Sequence, residues 1–177
     1  MKKVVARAGA PSKRAAKASP SARAVTVKSQ LAAFLAKFDP KVAALIRSCR
    51  RELRRQLPTA NELVYDNYNF FVIGYASTDR ASDCIVSLAA AANGVGLSFY
   101  YGAKLKDPAR LLQGTGSQNR YIRLPQVGVL KDRAVAGLIR AAAENGKIQL
   151  PRMGRGYTII KSISKKQRPR RNEAHAA

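Results

Sequence analysis

The large apolar residues of this chain are concentrated in its middle, whereas its positive charge is concentrated at both ends. Residues 29–146 hold 40 of the 52 large apolar side chains. Residues 1–28 carry eight Lys or Arg and no acid, and residues 147–177 carry nine against one acid. Because a core forms where apolar side chains cluster, we predict one domain over residues 29–146. A disordered basic arm at 1–28 and an added strand with a basic tail at 147–177 flank it.

The net charge of +23 restricts the classes of partner. It favours polyanions such as nucleic acid, and a small anionic ligand also fits. No stretch approaches the roughly 18 consecutive apolar residues of a membrane span, so we expect no membrane partner. The N-terminal arm lacks the apolar region of a secretory signal, although its Arg, Ala and Ser content leaves an organelle transit peptide as an alternative.

Few residues of this sequence can support catalysis or redox chemistry. Cys49 and Cys84 form no CxxC pair, and isolated thiols without a secretory signal are typical of a reduced, cytoplasmic protein. The single histidine, His175, lies in the polar C-terminal tail. Since a Ser-His-Asp triad or a histidine metal site needs a rigidly held imidazole, we predict a non-enzymatic protein without a cofactor.

Apolar spacing and capping residues predict three amphipathic helices and one short helix. The second helix begins at Asp39-Pro40 and the third at Asp132, ending at Asn145-Gly146. A short helix is expected from Asp107-Pro108 through Leu112. The apolar faces of the first two helices are Leu31, Phe34, Leu35 and Phe38, then Val42, Leu45, Ile46, Cys49 and Leu53.

The other face of the second helix is strongly basic. It carries Arg47, Arg50, Arg51, Arg54 and Arg55, with Glu52 as the internal partner. Such a face is either a solvated surface or an anion-binding ridge that contacts phosphate.

Strand-like runs follow the second helix. They lie at 63–65, 70–76, 84–89, 95–101 and 121–124, with an added strand at 158–163 after the turn at Gly154–Tyr157. The order of helices, strand meander and closing helix predicts an α+β fold, in which an antiparallel sheet of about five strands packs with amphipathic helices. The Gly-rich loop at 113–119, flanked by Arg110, Arg120 and Arg123, is either an anion-holding loop or a plain turn, since it leads into a strand rather than a helix.

Several of these segments together resemble a known family. They are Tyr65-Asp66-Asn67-Tyr68-Asn69-Phe70, Leu97-Ser98-Phe99-Tyr100-Tyr101-Gly102, Leu111-Leu112-Gln113-Gly114-Thr115-Gly116 and Tyr121-Ile122-Arg123-Leu124. Over about residues 31–144 the chain resembles the YdhG-like bacterial domain of unknown function. The resemblance implies a compact α+β domain related in shape to frataxin, and some members are described as iron chaperones. The chain departs from the family pattern at residues 66–70, where Gly-Met-Pro-Ala-Phe is usual.

The family positions and the sequence suggest an aromatic, arginine-lined pocket for a small or anionic ligand. We expect it to be lined by Tyr65, Tyr68, Phe70, Tyr101, Arg120 and Arg123. The alternative role of these aromatic side chains is packing in the core and at the sheet edge.

Two other functions remain open. Nucleic acid would associate through the basic arms, at Lys13, Arg14, Lys17, Lys165, Lys166, Arg168, Arg170 and Arg171, unless these arms only solubilise the chain. Iron delivery would use Glu62, Tyr65 and Asp66 as ligands, although the positive background lowers affinity for cations.

Overall fold

A computed structural model of the protein describes residues 26–171. The predicted nucleic-acid residues Lys13, Arg14 and Lys17 lie outside this range, as does His175. Within it the chain forms three α-helices and a six-stranded sheet. Their bounds are α1 Val27–Leu35, α2 Pro40–Gln56, β1 Asn61–Asp66, β2 Phe71–Ala76, β3 Cys84–Ala91, β4 Gly94–Phe99, β5 Arg120–Arg123, α3 Arg133–Glu144 and β6 Thr158–Ile163.

The predicted α+β class is confirmed, with a sheet that differs in detail. The strand order is β5-β4-β3-β2-β1-β6, so β1 to β5 form an antiparallel meander. The sixth strand pairs parallel to β1, from Glu62 beside Thr158 to Asp66 beside Ile163. A parallel pair needs a crossover connection, and here that connection contains α3 and carries the chain from one edge of the sheet to the other. The sheet is therefore mixed, since the added strand predicted at 158–163 joins the five-stranded meander as a sixth strand parallel to β1.

The hydrophobic core lies between the helices and one face of the sheet. Alternate strand residues such as Val64, Ile73 and Leu97 point into it, where they join buried side chains of the helices such as Ile46 and Leu138. The apolar faces predicted for α1 and α2 are buried or partly buried in this core. Strand alternation sends the intervening residues to the opposite face. In the described part of the chain, the buried side chains of the helices join the first face and leave the second without a helical cover.

The cap predicted for the third helix is confirmed. The Asp132 carboxylate accepts hydrogen bonds from the amides of Ala134 and Val135, at 2.8 and 3.2 Å, and so begins α3 where the sequence predicts it.

The prediction of a short helix from Asp107-Pro108 through Leu112 is wrong. Arg110 has φ of +52°, which a right-handed helix cannot contain. The Asp107 carboxylate instead accepts from the amide of Leu112, at 2.7 Å, and closes a loop.

A close backbone approach explains a glycine in the turn before β6. The amide of Gly156 donates to the carbonyl of Pro58, at 3.0 Å. A Cβ at this position would lie 1.8 Å from the carbonyl oxygen of Ala60, so no other residue fits without moving the chain. Glycine is therefore needed where the closing strand enters beside β1.

The segment after β6 packs against the domain, which corrects the predicted role of Arg170 as a free cation. Its side chain is 2% exposed and donates to the carbonyl oxygens of Asn67 and Asn69, at 2.5 Å each. It also lies 3.4 Å from the buried carboxylate of Asp66, whose other oxygen accepts from Lys37 at 2.5 Å. The other predicted cations of this tail, Lys165, Lys166, Arg168 and Arg171, are exposed.

We expect Arg170→Ala to lower the free energy of unfolding by roughly 3 kcal/mol, because it removes a cation from a buried carboxylate and the donors from two carbonyls. Urea denaturation measures the change. Exposed Lys166 supplies the matched control, and Lys166→Ala should stay within about 0.5 kcal/mol of the wild type. Equal stability of the two variants would show that the segment after β6 does not hold the domain together.

Candidate functional site

A groove of about 510 Å³ lies on the sheet face that the helices leave uncovered. We call it the sheet-face groove. Its floor consists of small side chains, among them Ser87, Ala89, Gly96 and Ser98 on β3 and β4. Its larger lining side chains are Phe70, Tyr100, Tyr121 and Arg123.

The groove exists because small residues alternate on one face of two central strands. On β3 and β4 the core face carries large residues such as Leu88 and Leu97, whereas the opposite face carries Ser87, Ala89 and Gly96. Side chains at the neighbouring edges are large, so the middle of the sheet is recessed. The depth of the groove thus follows directly from strand alternation.

The groove combines exposed aromatic rings with a positive charge. Phe70 is 47% exposed and Tyr121 is 40% exposed. Tyr121 and Arg123 are two residues apart on β5, so both side chains stand on the same face. Ser98 donates to the side-chain oxygen of Asn119, at 2.8 Å. No acidic side chain is among the described residues that line the groove. The arrangement suits a planar ligand that carries negative charge.

Two of the six residues predicted for the pocket, Phe70 and Arg123, line the sheet-face groove. Tyr65 instead packs beside the small buried cluster of Leu63, Ala76 and Cys84 on the same face. Burial raises the pKa of Tyr65, and its hydroxyl has no hydrogen-bond partner within residues 26–171.

The other three predicted residues lie elsewhere. Tyr68 is 49% exposed, with the Arg168 guanidinium 5.6 Å from its ring centre. Tyr101 lines a separate cavity of about 340 Å³ beside Lys104 and Lys147. Arg120 donates to the carbonyls of Gly116 and Asn119 and so stabilises its own loop.

Two aromatic residues that line the groove, Tyr100 and Tyr121, are not among the predicted residues, although each is adjacent in sequence to one of them. A strand alternates its side chains between two faces, so the partners of Arg123 on its face stand two residues away, at Tyr121, and not three residues away, at Arg120. Strict use of this alternation would have selected Tyr121 from the sequence. Tyr100 follows the last residue of β4, where the sequence does not reveal whether the alternation continues.

The Gly-rich loop at 113–119 has the geometry of a turn closed by backbone pairing. Gln113 and Tyr121 exchange backbone hydrogen bonds of 2.8 and 3.0 Å. The Arg120 guanidinium contacts carbonyl oxygens of this loop, so it faces the acceptors of the loop and not an anion held by its amides. This favours the plain-turn alternative.

A second surface gathers five guanidinium groups. Arg47, Arg50, Arg51 and Arg54 of α2 and Arg155 of the turn before β6 line a cleft of about 480 Å³, together with Thr158. We call it the arginine cleft. The α2 members follow the i, i+3, i+4, i+7 spacing of one helix face. Arg55, which is predicted to share this basic face, instead forms a salt bridge with Glu52 at 2.6 Å.

The buried carboxylate of Glu62 forms salt bridges with two arginines of this cleft, Arg50 and Arg54. It is 0% exposed, and Arg50 donates to both of its oxygens, at 2.8 and 2.7 Å. Arg54 and Thr158 donate to Oε2 at 2.7 and 2.6 Å. Burial raises the pKa of Glu62. The hydrogen bonds from Arg50 and Thr158 and the two guanidinium charges lower this pKa by more than burial raises it, so the net pKa lies below its ordinary value. Tyr75, fully buried, also donates to Glu62, at 3.4 Å.

The three residues proposed as iron ligands do not form a site together. Glu62 and Asp66 lie near the two ends of β1, on its helix-facing side, and each is paired with cations. Tyr65 lies on the opposite face of the strand. Within residues 26–171 no group of three or more His, Cys, Asp or Glu side chains is arranged to hold a metal ion. The structure does not bring this ligand set together, because strand alternation places Tyr65 on the opposite face and Glu62 lies four positions from Asp66 along β1.

Comparison with known proteins gives no neighbour from which to transfer a function. The chain matches no family model, and no curated protein or solved structure is significantly similar to it. None of the helices described here has both the length and the apolar character that crossing a membrane requires.

The Glu62 cluster predicts a defined dependence of stability on pH. Its lowered folded-state pKa means that its contribution is present above the ordinary value of 4.5 and is lost as pH falls through the folded-state pKa. At about pH 7, Glu62→Gln should lower the free energy of unfolding by roughly 3 kcal/mol, because the guanidinium groups lose their carboxylate. The difference between this variant and the wild type should shrink as pH falls below 4.5.

Denaturant titrations at a series of pH values measure that difference. Thr158→Val serves as a milder variant, since it removes one donor and keeps the charges. A difference that stays constant down to about pH 3 would contradict the assignment of Glu62 as an ionised, paired carboxylate.

Proposed function

We propose that this protein is a non-enzymatic binding module that holds a small planar anion in the sheet-face groove. One observation carries this proposal: the exposed rings of Phe70 and Tyr121 stand with Arg123 around a floor of small residues on an uncovered sheet face.

The size and chemistry of the groove support a small-molecule ligand. A volume of about 510 Å³ falls in the range of roughly 300 to 1,000 Å³ that such sites occupy. A planar ligand that lies on the floor would cover the two exposed rings and remove their apolar surface from water. Arg123 would then pair with the negative group of the ligand through its fork of donors.

The lining of the groove favours binding over catalysis. Its polar groups are hydroxyls, side-chain amides and one guanidinium. Among the described residues, it contains no carboxylate, imidazole or thiol that would serve as a general base near neutral pH. The rigid sheet beneath these groups suits a preformed receptor.

We also propose membership of the YdhG-like family and a cytoplasmic location. The order of elements over residues 31–144, in which two helices precede a strand meander and a third helix closes it, supports the family proposal. The two cysteines, both free and buried, are consistent with a reducing compartment.

The test is calorimetric titration of the full chain with two probe pairs, benzoate against benzamide and adenosine monophosphate against adenosine. We expect each anion to bind more tightly than its neutral partner. Arg123→Ala should weaken the anion by about tenfold or more, as expected for loss of a charge-assisted hydrogen bond. Tyr121→Ala should weaken both members of a pair, since it removes a stacking surface.

Arg140→Ala is the matched control, because Arg140 is an exposed arginine of α3 outside the groove. It removes the same charge and should leave affinity nearly unchanged. The proposal fails if no probe binds, or if Arg140→Ala and Arg123→Ala weaken the anions equally.

A further inference from the structure

The arginine cleft is separate from the sheet-face groove and carries an uncompensated positive charge. Two of its five guanidinium groups, those of Arg50 and Arg54, contact a carboxylate among the described residues, that of Glu62. Arg47, Arg51 and Arg155 have no carboxylate partner within residues 26–171. Like charges at helix spacings i and i+4, such as Arg47 and Arg51, destabilise a helix. An anion bound here would relieve that repulsion.

The cleft is preorganised to receive an anion. Two buried salt bridges to Glu62 fix the guanidinium groups of Arg50 and Arg54, whose side chains remain 29% and 22% exposed. Arg54 is held further by the carbonyl of Gly156, at 2.9 Å. The Nη1 group of Arg50 makes no hydrogen bond to the described residues and remains available as a donor. Donors that are already oriented lose little entropy when they bind a ligand.

The dimensions of the cleft suit a chain of phosphates more than a single one. Arg47 and Arg54 are seven positions apart on α2, or roughly 10 Å along the helix axis. Duplex nucleic acid carries one phosphate per roughly 3.4 Å of axis on each strand, so this length corresponds to about three phosphates. The described residues that line the cleft are arginines and one threonine, and none of them has an aromatic ring that could stack on a base.

Positive charge continues from the cleft to the start of α1. An adjoining cavity of about 360 Å³ shares Arg50 and Thr158 with the arginine cleft and reaches Lys28 at the start of α1. Residues 1–25, which join the domain at this point, carry seven Lys or Arg and no acid. An extended polyanion would gain contacts along both cavities, whereas a small anion would occupy one of them.

We propose that the arginine cleft binds the phosphate backbone of a nucleic acid without reading its sequence. In this arrangement, Arg47, Arg51 and Arg155 contact phosphates directly and Arg50 contributes its free Nη1 group. Glu62 positions Arg50 and Arg54 and does not itself contact the ligand. The folded domain then contributes a fixed part of the phosphate contacts.

The test compares two triple variants of the full chain that lose the same charge. The cleft variant is Arg47→Gln, Arg51→Gln and Arg155→Gln, none of which disturbs a described salt bridge. The control variant is Lys106→Gln, Arg133→Gln and Arg140→Gln, three exposed cations outside the cleft. Circular dichroism and thermal melting check that both variants fold. If the cleft variant does not fold, single variants at Arg47 and Arg51 replace it.

Fluorescence anisotropy then measures the Kd for a duplex DNA of about 20 base pairs, between roughly 50 and 200 mM salt. In the cleft variant we expect the slope of log affinity against log salt to become shallower by about 2 to 3, since each phosphate contact contributes roughly 0.9. The Kd should rise about tenfold or more, against a rise below about threefold in the control variant. Two duplexes of unrelated sequence should give the same Kd.

Four outcomes would overturn the proposal. One is the absence of DNA binding by the wild type at the lowest salt, and another is an equal effect of the two triple variants, which would assign binding to net charge. A third is a strong preference between the duplexes. The fourth is a cleft variant that loses affinity for inorganic tripolyphosphate and keeps its affinity for DNA, which would identify a site for free polyphosphates.

Discussion

The structure depends on one buried carboxylate. Glu62 lies on the helix-facing side of β1 with no exposed surface, and it is ionised because Arg50, Arg54 and Thr158 donate to it. These donors come from α2 and from β6, so a single charge joins the second helix, the first strand and the last strand. A buried carboxylate without such partners would cost several kcal/mol. The three elements therefore adopt the arrangement that brings their donors to Glu62.

A second buried carboxylate does the same at the other end of β1. Asp66 is contacted by Lys37, which lies between α1 and α2, and by Arg170 near the end of the described chain. Buried ion pairs are weak evidence of net stability, since desolvation offsets much of their attraction. Their effect here is on arrangement, because Glu62 also accepts a hydrogen bond from Thr158 and Asp66 pairs with Arg170, 96 and 104 residues later in the chain. Strand β6 runs parallel to β1 between these two charge clusters, and the segment after β6 reaches the second cluster through Arg170.

The two faces of the sheet carry two different chemistries. The helix-facing side is filled with large apolar residues and closed at both ends of β1 by ion pairs. The uncovered side is recessed over Ser87, Ala89 and Gly96 and bordered by aromatic rings. Because α2 turns its apolar side to the core, its basic side faces outward and forms the arginine cleft with Arg155. Small planar anions and extended phosphate chains would thus meet the molecule at different surfaces.

The sequence by itself determined the elements whose signals are local. Apolar periodicity placed α1, α2 and α3, Asp132 marked a cap, and strand-like runs predicted the meander, because these patterns depend on neighbours within a few residues. The positive φ of Arg110, which replaced a predicted short helix with a loop, has no comparable local signal.

The tertiary structure alone decided which distant residues meet. It brought Thr158 and Arg155 beside α2 and buried Arg170 against Asp66. Such contacts follow from strand register, face and crossover, which are set when the whole core packs and buried charges find partners. No window of sequence around any one of these residues contains that information.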